Sequence, residues 1–155
     1  MAGNMRDLAA FCYGLPAKIK VATNERKKTV VLDIENNLTQ MTPIDTGAAI
    51  SNWQVTVGAP ASEPIDPYVP STAGAYDHHG IGDGHGGAAN AAAAMDVARA
   101  NIAGVTQGET IYIANVVDHI GFLNEDGRSP QAQPGFVERA IMLGRDTADR
   151  AKLTL

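Results

Sequence analysis

A chain of 155 residues, 45% of them hydrophobic, is long enough for one domain with a modest core and too apolar to be disordered by composition. Aromatic residues make up only 5% while Gly occurs 16 times, so little apolar area is buried per residue and a partner surface is expected to complete the core. The formal charge of -5 argues against a free-standing DNA-binding domain, which normally carries a basic patch.

The single cysteine, Cys12, excludes an intrachain disulfide and a cysteine metal cluster, which fits assembly in a reducing cytoplasm. Its place beside Phe11 predicts a packed thiol rather than a reactive one. The first residues lack the apolar h-region and cleavage site of a signal peptide. No run approaches the ~18 apolar residues of a membrane span.

Met5 to Tyr13 predict a short helix stopped by Gly14. Pro16 suits the first turn of a second helix reaching about Gln40. Ile19, Ala22, Val30, Val31, Ile34, Leu38 and Met41 mostly follow three-four spacing, giving one buried stripe. The charged middle, Asn24 to Lys28, and the wider basic stretch with Lys18 and Lys20 read as a solvated helix face. Pro43 ends the helix, since the residue before proline is pushed out of the α region.

Thr42 to Gly47 is a turn in which Asp45 accepts backbone N–H bonds and Gly47 takes positive φ. A strand follows, with Trp53, Val55 and Val57 alternating against Asn52, Gln54 and Thr56, closed by Gly58 and Pro60. Trp53 reads as core. Residues 59 to about 87 form a Gly/Ala/His-rich insert, expected to project and to order against a neighbour. Ala88 to Ala103 is Ala-rich and helical, with Met95, Val97, Ala98 and Ile102 as its weak apolar face and Gly104 at its end.

Thr110 to Val117 is the second strand, with Ile111 and Ile113 on one face and Tyr112 and Ala114 on the other; Asn115 is its turn residue. Pro134 starts the last helix, whose buried side is Phe136, Val137, Ala140, Ile141 and Ala148. Glu138 near its start and Arg150 and Lys152 near its end suit the helix dipole. The fold class is therefore α+β: a long N-terminal helix and a C-terminal helix packed on a small antiparallel sheet, in a single domain over 1–155. Two strands alone are marginal in water, so an additional strand is expected from the insert or from a neighbouring subunit.

Two segments carry a resemblance. Thr42, Pro43, Asp45, Thr46, Gly47 and Trp53 match a TPxDTG turn followed by a strand with a Trp. IYIANVVDHIGFLNEDGRSPQAQPGFVERAI, from Ile111 to Ile141, matches a strand, a Gly-Ser-Gln loop and a helix in the same order. The chain departs from that pattern at Val117 to His119, at Gln133 and at Ala48-Ala49. In these segments it resembles the neck (head–tail joining) and tail-completion proteins of tailed double-stranded-DNA bacteriophages, a group that includes tail terminators.

The resemblance implies a virion structural protein, not an enzyme, with no catalytic residues, cofactor or metal. It implies a homo-oligomeric ring, commonly of six or twelve copies, at the head–tail junction of the virion. That ring, assembled in the host cytoplasm, would lie between a portal-bound adaptor and tail proteins. Genomic DNA would pass through its lumen during ejection without sequence-specific binding, and no membrane is involved. The interface candidates are Asp45, Thr46, Gly47, Asp77, His78, His79, His85, Asn115, Asn124, Gly127, Arg128, Ser129 and Gln131; Gln131 is expected to make two-sided amide bonds to a neighbour.

Other chemistries are less well supported by the residues. Asp77, His78, His79, Asp83 and His85 suggest a metal cluster, and hence a metal-dependent hydrolase as the alternative function, but their spacing matches no known ligand motif. The Gly80 to Gly87 run lacks the Lys-Ser/Thr and the preceding strand of a phosphate cradle. Asp45 and Asp126 sit in separate turns where Asp serves the backbone. A ligand-binding module beneath the insert is a third possibility.

Overall fold

A computed structural model describes residues 3–44, 46–70, 86–125, 129 and 131–150. The architecture is the expected α+β arrangement, mostly helical, with a small antiparallel sheet. The helices are α1 (Gly3–Met41), α2 (Ala48–Ser51), α3 (Gly87–Ala103), α4 (Ile120–Glu125) and α5 (Phe136–Arg150), and the strands are β1 (Gln54–Val57) and β2 (Ile111–Ala114).

The two helices expected at the N-terminus are one. α1 runs unbroken for 39 residues, with Gly14 and Pro16 inside it. Glycine costs about 1 kcal/mol in a helix interior and proline about 3, and Pro16 also removes the donor that would bond the Cys12 carbonyl. α1 ends at Met41, as Pro43 requires, and Gly47 takes φ 82° to turn the chain into α2, a helical turn not foreseen from the sequence.

β1 and β2 pair antiparallel, with Val55 opposite Ile113 and Val57 opposite Ile111. Directly opposed residues share a face, and this face meets α3 and α1. Val55, Ala98, Ile102 and Val105 form one buried cluster, with Val31, Leu32, Val57, Ile111 and Ile113 packed around it. Leu38, Trp53, Phe136 and Ala140 form a second, joining α1, the start of β1 and α5. Helix packing on one face is what makes a two-stranded ribbon tenable.

α1 and α5 approach most closely at Gly144, where an added Cβ would lie 2.1 Å from Ile34 Cγ1. The predicted buried side of α5 holds at Phe136 and Ala140, whereas Ile141 is 42% exposed, and the missed contact is Gly144. On α3, Met95, Ala98 and Ile102 are buried and Val97 faces out.

Among the described residues there is no third strand. Residues 59–70 instead run back alongside Ser51 to Gln54, tied by side chains rather than by a ladder. Gln54 donates to the Glu63 carbonyl at 2.9 Å. Asn52 donates to the Ile65 carbonyl and accepts from its N–H, both at 2.8 Å. Ser51 Oγ accepts from the Tyr68 N–H at 3.2 Å. The described part of the insert thus lies against its own domain instead of projecting. Asn52, read as the outward partner of Trp53, is fully buried because its amide supplies the bonds this segment would otherwise find in a strand.

Candidate interaction surface

The two segments that carry the resemblance meet in space. The Gln131 amide closes both bonds on the Ile44 backbone: Oε1 accepts the Ile44 N–H at 2.7 Å and Nε2 donates to the Ile44 carbonyl at 3.0 Å. The bidentate bond expected with a neighbour is therefore made within the chain. It fixes the turn after α1 against the loop before α5. A cleft of about 280 Å³, lined in part by Met41, Gln131, Phe136 and Arg139, lies beside this junction.

The other described candidates also serve their own chain. Thr46 Oγ1 accepts from the Ala48 N–H at 3.3 Å, and Gly47 supplies the left-handed residue before α2. Asn115 donates to the Ala49 carbonyl at 2.8 Å and accepts from the Val117 N–H at 3.2 Å, an Asx turn that fastens the end of β2 to α2. Asn124 accepts from the Val137 N–H at 2.9 Å and donates to the Glu138 carboxylate at 3.0 Å, so α4 caps the first turn of α5. The bond from Asn124 holds the Glu138 carboxyl below its usual range. Ser129 Oγ accepts from the Gln131 N–H at 3.2 Å. Asp45, Asp77, His78, His79, His85, Gly127 and Arg128 lie outside the described residues, as do Asp83, Asp126 and most of the Gly80 to Gly87 run. The metal cluster and the phosphate cradle therefore have no geometry to report. Among the described residues no group of three His, Cys, Asp or Glu converges on a metal position.

The base of the insert is clamped by Asn90. Its Oδ1 accepts from Ser51 Oγ and the Val69 N–H, both at 2.8 Å. Its Nδ2 donates to the Val69 and Gly86 carbonyls, both at 2.9 Å. One buried amide, with all four bonds made, thus joins the two described ends of the insert. The signal was a lone Asn in an otherwise alanine run, Ala88 to Ala94.

The centre of α1 is not a solvated face. Asn24 donates to the Val105 carbonyl at 2.6 Å, Lys27 to the Glu109 carbonyl at 2.8 Å, and Lys28 to the Ala103 carbonyl at 3.0 Å. Arg26 donates to the Ala148 carbonyl. Cations placed on the last carbonyls of α3 and α5 oppose the negative ends of both helix dipoles. α3 ends at Gly104 with an ordinary φ of −86°; the Val105 N–H bonds the Ile102 carbonyl at 3.1 Å and Lys28 takes the Ala103 carbonyl.

Glu35 was not singled out from the sequence, yet it is fully buried and both carboxyl oxygens lack a hydrogen-bond partner. Burial pushes its carboxyl up to about 8. Tyr68 of the insert is raised too, first by burial and then by the charge of Glu35. The signal was position: Glu35 stands four residues after Val31 and three before Leu38, on the buried stripe itself.

Cys12 is exposed, contrary to the expectation of a packed thiol. No helix among the described residues is long and apolar enough to cross a membrane. No family model matches the chain, and neither does a curated protein or a solved structure.

Proposed function

We propose that the chain is a structural subunit of a tailed-bacteriophage neck, forming a homo-oligomeric ring that joins the head, through a portal-bound adaptor, to the tail and lets DNA pass. The observation that carries this reading is the junction made by Gln131 and Ile44. The motifs that resemble the neck and tail-completion proteins lie 87 residues apart in sequence at these two positions, and these two bonds join them between the end of α1 and the start of α5. A surface built of turns that are already bonded internally suits docking without large reordering, because little loop entropy is lost on contact.

In this reading α1 and α5 form the wall of the ring, and the negative charge of the chain keeps passing DNA from adhering. The contacts are head-to-tail and close only when the rotation between copies is right. Sedimentation of the pure protein, alone and with the portal–adaptor complex of its own phage, tests the proposal. The expected result is weak association alone and a ring on the adaptor; failure to associate with the connector overturns it.

A further inference from the structure

α1 is longer than the body it serves. Among the described residues, the first α1 side chain to bond another element is Asn24, and the first to join a buried cluster is Val31. The segment before it, Gly3 to Thr23, spans about 32 Å. Phe11 is 50% exposed, Tyr13 89%, Ile19 42% and Val21 64%. An isolated helix of this length is marginal in water, all the more with Gly14 and Pro16 inside it. Something must cover it for it to persist.

Two observations say what. The first is continuity. Phe11, Leu15, Ile19 and Ala22 follow steps of three and four, which keeps them on one side of the helix. Further three-four steps lead to Arg26 and Asp33, where α5 lies: Arg26 bonds the Ala148 carbonyl and Asp33 accepts from Thr147 Oγ1 at 2.7 Å. The stripe, exposed at Phe11 and Ile19 and half-buried at Leu15 and Ala22, is thus the extension of a surface that α5 covers further along α1. The second is charge. Residues 1–23 hold three Lys/Arg against one Asp/Glu, net +2, while residues 24–155 hold nine against sixteen, net −7. Asp66, Asp118 and Glu125 are exposed on that acidic body. Lys18, lying 5.3 Å from the centre of the Phe11 ring, places a cation on the apolar stripe itself.

We infer that the N-terminal half of α1 is an arm that lies on the acidic body of a second copy of this chain. The inference rests on the self-association in the proposed function and names the surface that carries it. Half the circumference of such a helix is about 500 Å² per partner, at the low end for a specific contact. One arm therefore binds weakly, and stability comes when every copy gives an arm and receives one, the head-to-tail arrangement of a ring.

The only cysteine sits on this arm and is exposed, so a benzophenone maleimide can be attached at Cys12 without any substitution. Irradiation of an equal mixture of isotopically heavy and light protein across a concentration series should give heavy–light dimers. Their yield should rise with concentration and fall with salt, and the cross-links should map from Cys12 to residues after Thr23 of the other copy. Ile19→Glu, on an exposed position, should leave the melting transition in place and weaken dimer formation about tenfold, equivalent to about 1.4 kcal/mol. Links confined to one copy, links from arm to arm, or a yield unchanged by Ile19→Glu would each overturn the inference. An amine-reactive cross-linker run in parallel separates the two readings. Oligomers trapped by it without any from Cys12 leave the ring standing and remove the arm, whereas none from either reagent, even on the adaptor, removes both.

Discussion

α1 is one helix with two fates. Its C-terminal part, from Asn24 to Met41, is enclosed: Lys27 and Lys28 bond the end of α3 and the loop after it, Ile34 meets Gly144 of α5, and Leu38 packs with Trp53 and Phe136. Its N-terminal part, to Thr23, carries side chains just as large and leaves Phe11, Tyr13, Ile19 and Val21 exposed. Residue type does not distinguish the halves. What differs, among the described residues, is whether another element reaches that length of helix, and α5 as described ends at Arg150. An apolar stripe on a helix thus reports that something covers it, without saying whether the cover belongs to the same molecule.

The sharpest test of the contrast is pH. The Glu35 carboxyl lies at about 8 in the folded protein against an ordinary 4.5. The folded state therefore holds a proton that the unfolded state releases, so stability is complete below about pH 4.5 and is lost as pH rises through 8. At about 1.4 kcal/mol per pKa unit the loss is on the order of 5 kcal/mol. Denaturant titrations from pH 4 to 9 should trace that fall in the wild type and a nearly flat line in Glu35→Gln, while Asp7→Asn on the bare half should leave the slope unchanged. A wild-type profile that is flat or rises over the same range would show that Glu35 is not buried as described.

Truncation in the core comes next. Leu38→Ala, in the enclosed half, is expected to cost about 2–5 kcal/mol. Phe11→Ala, on the bare half, should stay within about 0.5 kcal/mol in the monomer. Urea midpoints measured at low protein concentration check both, and equal losses at the two sites would erase the distinction.

Gly144→Ala should cost less than Leu38→Ala, about 1–3 kcal/mol, because its methyl group must displace Ile34 in a packed interface. Gly14→Ala, with nothing within 4 Å of its added Cβ, should instead stabilise α1 by up to about 1 kcal/mol. Thermal melts of the two variants check this pair. A gain at Gly144 would mean that α1 and α5 are farther apart than they lie here.

Much of this is legible in the chain. The strands at Val55 and Ile113, the buried Trp53, the end of α1 before Pro43 and the positive φ of Gly47 follow from period-two alternation and backbone sterics, which act locally. The polar residues mislead for the opposite reason. Asn52 and Asn90 look like surface amides, yet each holds backbone groups that arrive from far along the sequence, 13 residues away for Ile65 and 21 for Val69. Gln131 reads correctly as a two-sided amide, but its partner is Ile44 of the same chain. Arg26, Lys27 and Lys28 look solvated because the carbonyls they bond belong to α3, α5 and the loop after α3.

The sequence by itself determined the class of fold, the order of its main elements and the end of α1 before Pro43, because periodicity, proline and glycine act within a few residues. Tertiary structure decided which stretch of α1 is covered, where each buried amide and cation finds its carbonyl, and that Glu35 is buried without a hydrogen-bond partner. Those outcomes depend on which distant segments arrive together, and spacing along a chain does not encode that distance in space.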